Sequence, residues 1–251
     1  CVFRHATLPL FVGVVVDDLI AVGEGPAVAK FEAFLKKTFP IKCLGEPRLF
    51  CGIQVVVSQH EIRLNQSTYA RQTLERFYSM DCKSAETPAV KIQLDPQDSD
   101  LLPPDVPFRG ALGSLLWISG NTRPDICYAV NQVCRVAHKP TKAAWAAVIR
   151  IFRYLRGTLE FALVYKRQQN CFASIDSDSN WAGNQFTRMT TGGGDYFIGN
   201  SLILWKCKTM KEIFTSTFHA ESAFISFMGK IGSWLIPLTK RILEGAVDGP
   251  V

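Results

Sequence analysis

Two adjacent aspartates, Asp17 and Asp18, interrupt the apolar stretch "GVVVDDLIAVG" at Gly13–Gly23. Carboxylates this close repel one another unless a cation or a set of N–H donors neutralises them. Two chemistries fit. In a tight turn, Asp side chains bond nearby backbone N–H groups. At a hairpin tip, the same pair can hold Mg²⁺, which takes one or two carboxylates together with substrate phosphates. A second acidic group lies in "DSDSNWAG", Asp176–Gly183. Its Asp-x-Asp-x-Asn opening is that of a calcium loop. However, Trp181 stands where such a loop needs Gly and Thr187 where it needs Glu, which removes that reading. A strand ending in carboxylates can instead feed a two-metal site, with Glu221 as a further ligand. The alternative is that Glu221 favours a helix N-terminal dipole and the aspartates form a solvated loop.

Three further features carry weaker signals. His219 neighbours Glu221 but lies one position off its helical face, so a capping or surface role is expected. The run Gly192-Gly193-Gly194 lacks the following Lys-Ser/Thr and helix of a phosphate loop, and a strand-edge turn fits better. Arg150, Arg153 and Arg156 form a basic stripe on "KAAWAAVIRIFRYLRG" that can contact phosphates. The interleaved Trp145, Phe152 and Tyr154 have core spacing, and a solvated face is the default reading for the arginines.

The elements that must position these groups follow from periodicity. "LFVGVVV" and "LIAVG" predict two strands around the aspartates. "PAVAKFEAFLKKTF" predicts a helix with Val28, Phe31, Phe34, Leu35 and Phe39 at helical spacing, ended by Pro40. "LFCGIQVVV" and "IRLNQ" predict a hairpin across "SQHE". "STYARQTLERFYSM" predicts a helix with Ser67 as N-cap. Glu86–Pro107 carries five prolines and five acids and reads as a linker or long surface loop. Three helices follow, the second with Pro124 near its start and the third capped by Thr141 and stopped by Gly157. "FALVYKR", "CFASIDSDSNW", "GGGDYFIGNSLILWK" and "EIFTST" then predict four strands. A last helix contains Pro237, a kink or stop. This order is mixed α/β, more strictly α+β: two units joined by a helical piece.

The 251 residues suffice for one large or two modest domains, and 47% hydrophobic with 20% charged residues excludes wholesale disorder. The net charge of +6 permits a polyanionic partner without requiring one. Eight cysteines are scattered without CxxC spacing, so free thiols in a reducing compartment are expected. That points to an intracellular location, cytoplasm or nucleus. No apolar run approaches the ~20 residues of a membrane span. The sequence starts at Cys1 without an initiator Met, in front of a strand-like run, and reads as a fragment.

Several of these stretches combine in one order. "VVVDDLIAVG", "FLKKTFPIKCLGEPRLFCGIQV", "IRLNQSTYARQTLERFYSMDCKSAETP", "FRGALGSLLWISGNTRPDICYAV", "KPTKAAWAAVIRIFRYLRGT", "DSNWAGN", "RMTTGG", "LILWKCK" and "HAESAF" cover nearly the whole chain. The series resembles the C-terminal part of a copia-type LTR-retrotransposon polyprotein, where the end of the reverse transcriptase runs into a ribonuclease H domain. The resemblance implies a palm edge and thumb at 1–88, an acidic Pro-rich linker at 89–107 and a helical connection at 108–167. An incomplete ribonuclease H-like domain would follow at 168–251. It implies RNA-directed DNA synthesis and cleavage of RNA in RNA–DNA hybrids as the family's chemistry. Asp17 and Asp18 match the polymerase's paired aspartates, and Asp178 and Glu221 match ribonuclease H catalytic carboxylates. These four are the implied Mg²⁺ ligands. A template–primer or RNA–DNA hybrid and the upstream reverse-transcriptase segment are the implied partners.

The departures from the family pattern fall on the same sites. Val15 stands where the family has Tyr, Asn180 where it has a second Asp, and Ala144 where His is usual. Gly194 replaces an aromatic, and Asp195 falls in a strand usually apolar there. A further polymerase Asp and a further ribonuclease H Asp are not matched, and Asp248, in a Gly-rich tail, is no substitute. The isolated chain is therefore expected to be inactive. A non-catalytic nucleic-acid-binding module using Arg150, Arg153 and Arg156, or a protein-interaction relic, is the alternative.

Overall fold

The computed structural model describes residues 1–78, 81–90, 94–95, 97–167 and 172–244. Cys171 and Asp248 lie outside the described residues, as do parts of the acidic Pro-rich segment. The architecture is α+β: three antiparallel sheets set around and beside a helical core.

The first sheet contains β1 (Val2–Arg4), β2 (Leu10–Val15) and β3 (Asp18–Gly23) in that order. Helix α1 (Gly25–Thr38) packs on it through a small core of Leu10, Val12 and Ala27, flanked by Val28 and Phe31. The helix stops where expected. Phe39, the residue before Pro40, is extended, as the proline ring requires. Phe34 and Phe39 do not join the apolar face that their spacing predicts; both stay exposed, as do Val2, Phe3 and Val22 of the sheet.

"LFCGIQVVV" is not one strand. It folds back at Cys51-Gly52, giving β4 (Leu49–Phe50) and β5 (Ile53–Val57). Both turn residues have positive φ, 50° and 75°, the pattern of a two-residue I′ hairpin with Gly in second place. β5 pairs with β6 (Glu61–Asn65), and β6 pairs with β7 (Leu163–Lys166), about a hundred residues later. "FALVYKR" therefore belongs to this second sheet and not to the C-terminal one.

Helix α2 (Ser67–Phe77) starts one residue before the sequence suggests. Ser67 is its first residue and not its cap. Gln54 of β5 supplies the acceptor instead, taking bonds from Ser67 Oγ (3.1 Å) and the Thr68 N–H (2.8 Å). Helices α3 (Phe108–Asn121), α4 (Cys127–Cys134) and α5 (Lys142–Gly157) complete the helical core, with a 3₁₀ turn at Pro124–Ile126 leading into α4. Leu74, Phe108, Leu115, Ile118, Val148 and Phe152 are among its fully buried side chains. Thr141 caps α5 as predicted, its Oγ accepting from the Ala144 N–H. The described part of the acidic Pro-rich segment lies against this core. Leu94 is buried in it, the Leu102 N–H donates to Pro140 O, and Asp100 pairs with Lys142 at 2.9 Å.

A buried clasp ties the α3–α4 turn to the end of α5. The Arg123 side chain is only 5% exposed and grips Asp125 with two nitrogens (2.9 and 2.7 Å). It also donates to Thr158 O (2.8 Å) and Oγ1 (2.6 Å), and it lies over the rings of Tyr154 and Phe161. Tyr154 OH donates to Asp125 (2.8 Å). Each charge is thus paired and hydrogen-bonded, which a buried guanidinium requires.

The third sheet has β8 (Ala173–Asn180), β9 (Thr191–Ile198) and β10 (Ser201–Thr209), ordered β10-β9-β8. "GGGDYFIGNSLILWK" is two strands, turned at Gly199-Asn200. "EIFTST" is not a strand; Phe214 is buried there and its carbonyl accepts from Trp181 Nε1. Helix α6 (Thr217–Glu244) crosses β8 and β9 and continues through Pro237 without stopping. Among the described residues, no helix is long and apolar enough to cross a membrane.

Candidate functional site

The paired aspartates stand at a hairpin tip, as the sequence suggests. β2 and β3 close at Val15↔Asp18, leaving Val16 and Asp17 as a two-residue loop. Asp17 is in the loop, Asp18 opens β3, and both are exposed. Val16 has φ +51°, a left-handed conformation in which a β-branched residue is a genuine outlier. A positive φ at the first loop position alone is the II′ hairpin pattern, which normally has Gly there. The strain sits directly beside the two carboxylates.

Asp176 and Asp178 are in the middle of β8 and not in a loop. The period of two along a strand puts Asp176, Asp178 and Asn180 on one face. Their register partners on β9 are Asp195, Gly193 and Thr191. α6 covers the opposite face, where Phe224 and Met228 seat over Gly192 and Gly194, and Gly232 meets Ile175. The glycine run is therefore neither a phosphate loop nor a strand-edge turn. All three lie within β9, and two of them, Gly192 and Gly194, let a helix approach the sheet closely, one way strand glycines are used. Asp195 faces Asp176 across the ladder. Partial burial, and secondarily the neighbouring Asp176 charge, raises its pKa above the ordinary 3.8.

Glu221 is exposed in the second turn of α6. His219 fills a structural role: its N–H donates to Ser216 Oγ, which caps α6, and its ring meets Phe214 edge-on. Asp178 alternates away from the face that α6 covers, so the strand and helix carboxylates are not brought together through that packing. Among the described residues, no group of three or more His, Cys, Asp or Glu side chains gathers within reach of one metal ion. The seven described cysteines are free thiols, as expected. Burial pushes Cys134 up to about 11 and Cys207 up to about 12, so neither offers a thiolate at neutral pH.

The basic stripe on α5 is half-buried under the segment that follows α2. Arg150 Nη2 donates to Thr87 Oγ1 (2.9 Å), and Arg153 Nε donates to Lys83 O (2.7 Å). The Ala85 N–H returns a bond to Arg153 O, and Ser84 packs at Gly157. These arginines hold chain to chain. Sequence reasoning missed both this strap and the Asp176–Asp195 pairing. The alternating "DSDSN" held the signal for the second, since a strand period puts its polar residues on one face.

Comparison with known proteins decides the lineage. The family described as Reverse transcriptase (RNA-dependent DNA polymerase) matches residues 3–91. An uncharacterized mitochondrial protein of Arabidopsis thaliana, AtMg00810, is 33% identical over 221 residues, covering 87% of this chain and 91% of its own length. The Retrovirus-related Pol polyprotein from transposon TNT 1-94 of Nicotiana tabacum is 32% identical over 245 residues, 91% of this chain. That from transposon RE2 of Arabidopsis thaliana is 29% identical over 235 residues, 93% of this chain. The chain belongs to the copia-type retrotransposon polyprotein family. It spans 18% of the tobacco polyprotein and 16% of the Arabidopsis one, a segment of each. No solved structure matches it. The reverse-transcriptase family acts on nucleic acid and typically uses a divalent metal, and the transposon relatives are polyproteins. Asp17 and Asp18 fall inside the reverse-transcriptase match, whereas Asp178 and Glu221 fall beyond it.

Proposed function

We propose that this chain is the stretch of a copia-type polyprotein that carries the polymerase's paired-aspartate hairpin, and that by itself it catalyses neither DNA synthesis nor hybrid cleavage. In this reading 1–88 contribute palm edge and thumb, 89–107 the acidic linker, 108–167 the connection, and 168–251 ribonuclease H-type elements. The observation that carries it is the exposed Asp17-Asp18 tip, inside the reverse-transcriptase match but with no third carboxylate gathered to it among the described residues.

Two-metal phosphoryl transfer needs ions about 3.5–4 Å apart, clamped by carboxylates that converge from more than one element. Asp17 and Asp18 come from a single hairpin. They fit as part of a Mg²⁺ shell that substrate phosphates and a further carboxylate would complete, and they do not make a resident site alone. Asp178 and Glu221 likewise make no resident site: α6 packs on the face of β8 opposite Asp178, and no cluster of three ligands forms around either among the described residues. The expected substrates in the polyprotein context are a template–primer and an RNA–DNA hybrid.

The purified chain, given template–primer, nucleoside triphosphates and Mg²⁺, is expected to give no extension. Mg²⁺-dependent extension that Asp17→Asn abolishes would overturn the inactive reading of the first part. Cleavage of a labelled RNA–DNA hybrid that Asp178→Asn abolishes would overturn it for the second.

A further inference from the structure

We propose that the cleft between α4 and the β8–β9 loop binds a nucleoside phosphate, with Arg135 taking the phosphate and Tyr128 the base. The cleft has a volume of about 400 Å³ and lies between Pro88–Val90, α4 and the loop that follows Asn180. That is within the roughly 300–1,000 Å³ of small-ligand sites. Tyr128, Gln132 and Arg135 recur at steps of four and three residues, so they share one face of α4 and line the cleft together. Tyr128 and Arg135 are about 10 Å apart along the axis at ~1.5 Å per residue. A ligand touching both must have a flat end and an anionic end.

Among the described residues, the charge of the cleft is positive and uncompensated. Asp125 also lines it, but Arg123 already neutralises that carboxylate. Arg135 contacts only neutral acceptors, Gln132 Oε1 (2.9 Å) and Thr187 Oγ1 (3.1 Å), and forms no ion pair among the described residues. The C-terminal dipole of α4 accounts for a cation there. It does not account for a cavity, nor for a half-exposed tyrosine ring at the other end of it. The side-chain amides of Gln132 and Asn180 supply donors and acceptors for a base edge. A neighbouring cavity of about 280 Å³ shares Gln132 and Arg135 and adds Lys211, so the positive groove continues past the phosphate position. The ligand is thus either a free mononucleotide or one unit of a single strand that runs on toward Lys211. Asp17, Asp178 and Glu221 do not line the cleft, so binding here is separable from metal chemistry there.

The test is calorimetric titration of the full chain with adenosine monophosphate, inorganic phosphate and a short oligothymidylate. Saturable binding of the mononucleotide or the oligonucleotide is expected, at least about tenfold tighter than inorganic phosphate because the ring adds stacking. Arg135→Gln and Tyr128→Ala should each weaken it by about fivefold or more. An oligonucleotide that binds tighter than the mononucleotide assigns the site to a strand; the reverse assigns it to free nucleotide. No saturation by either ligand at about 10 mM, a Kd too weak to be specific, overturns the proposal. So does binding that both variants leave unchanged. Arg135→Gln removes a tie to the β8–β9 loop, whereas Tyr128 is half-exposed and its truncation leaves the fold intact, so the second variant keeps the result decisive.

Discussion

Val16 gains nothing from its position in packing: it is 90% exposed and held at φ +51°. A strained non-glycine residue of this kind costs on the order of 1–3 kcal/mol. Val16→Gly should therefore slow amide exchange at the Val15–Asp18 pair that closes the hairpin, by an amount equivalent to about 1 kcal/mol after glycine's own entropy cost. Hydrogen exchange on the two proteins checks this. Asp195 makes the second residue-scale prediction. Its folded pKa is raised above the ordinary 3.8, so the folded state holds the proton more tightly than the unfolded chain. Its charge therefore costs stability, a cost absent below the ordinary value and complete once pH has risen through the folded value. Asp195→Asn should unfold at a higher temperature than the parent at pH 7, and the difference should vanish in acid below that ordinary value. A third concerns the clasp. Arg123→Ala leaves Asp125 without its cation and should cost roughly 3–5 kcal/mol, while Tyr154→Phe removes one hydrogen bond and should cost about 1 kcal/mol. Urea midpoints of the two variants should separate accordingly.

At the scale of elements, the contact of α6 with β9 depends on missing side chains. A Cβ at Gly192 would overlap the Phe224 ring, one at Gly194 would lie 2.8 Å from Met228, and one at Gly193 meets nothing within 4 Å. Gly192→Val should therefore destabilise by about 1–3 kcal/mol, the range for overpacking, and Gly193→Val should be nearly neutral. Thermal melts of the pair test whether the run is a packing device. What was legible in the sequence followed from period. Strands around Asp17-Asp18, helix α1 up to Pro40 and the Thr141 cap are all local statements, readable from spacing and turn chemistry. What was not legible depended on distant chain. Ser67 looks like a cap until Gln54, in the preceding hairpin, accepts from its hydroxyl and from the orphan Thr68 N–H. "LFCGIQVVV" looks like one strand because Cys51 is not a turn-forming type, and only Gly52 marks the reversal. The candidate carboxylates could be named one by one, but whether they converge is a tertiary fact that no spacing encodes.

For the whole molecule, β7 pairing with β6 and the shared core of α2 with α3–α5 tie residues before the acidic segment to residues after it. A chain comprising 108–251 alone should lose the partners of Leu163–Lys166 and the packing of Leu74, and it should show a non-cooperative thermal transition by near-ultraviolet circular dichroism. The chain's long-range order also explains why its most recognisable words are not catalytic. "TRPDICYAV" supplies Arg123 and Asp125, and "RYLRGT" supplies Tyr154 and Thr158; the two phrases are the halves of one clasp. "NWAGN" likewise orders a loop, Asn184 Oδ1 accepting from the Phe186 and Thr187 N–H groups. Such residues serve folding and are blind to turnover: a chain that carries both phrases can close the clasp whether or not its aspartates are intact. A genome survey that finds copies by these words therefore counts chains able to fold, dead and living elements alike. To separate the two populations, the survey has to score the aspartates.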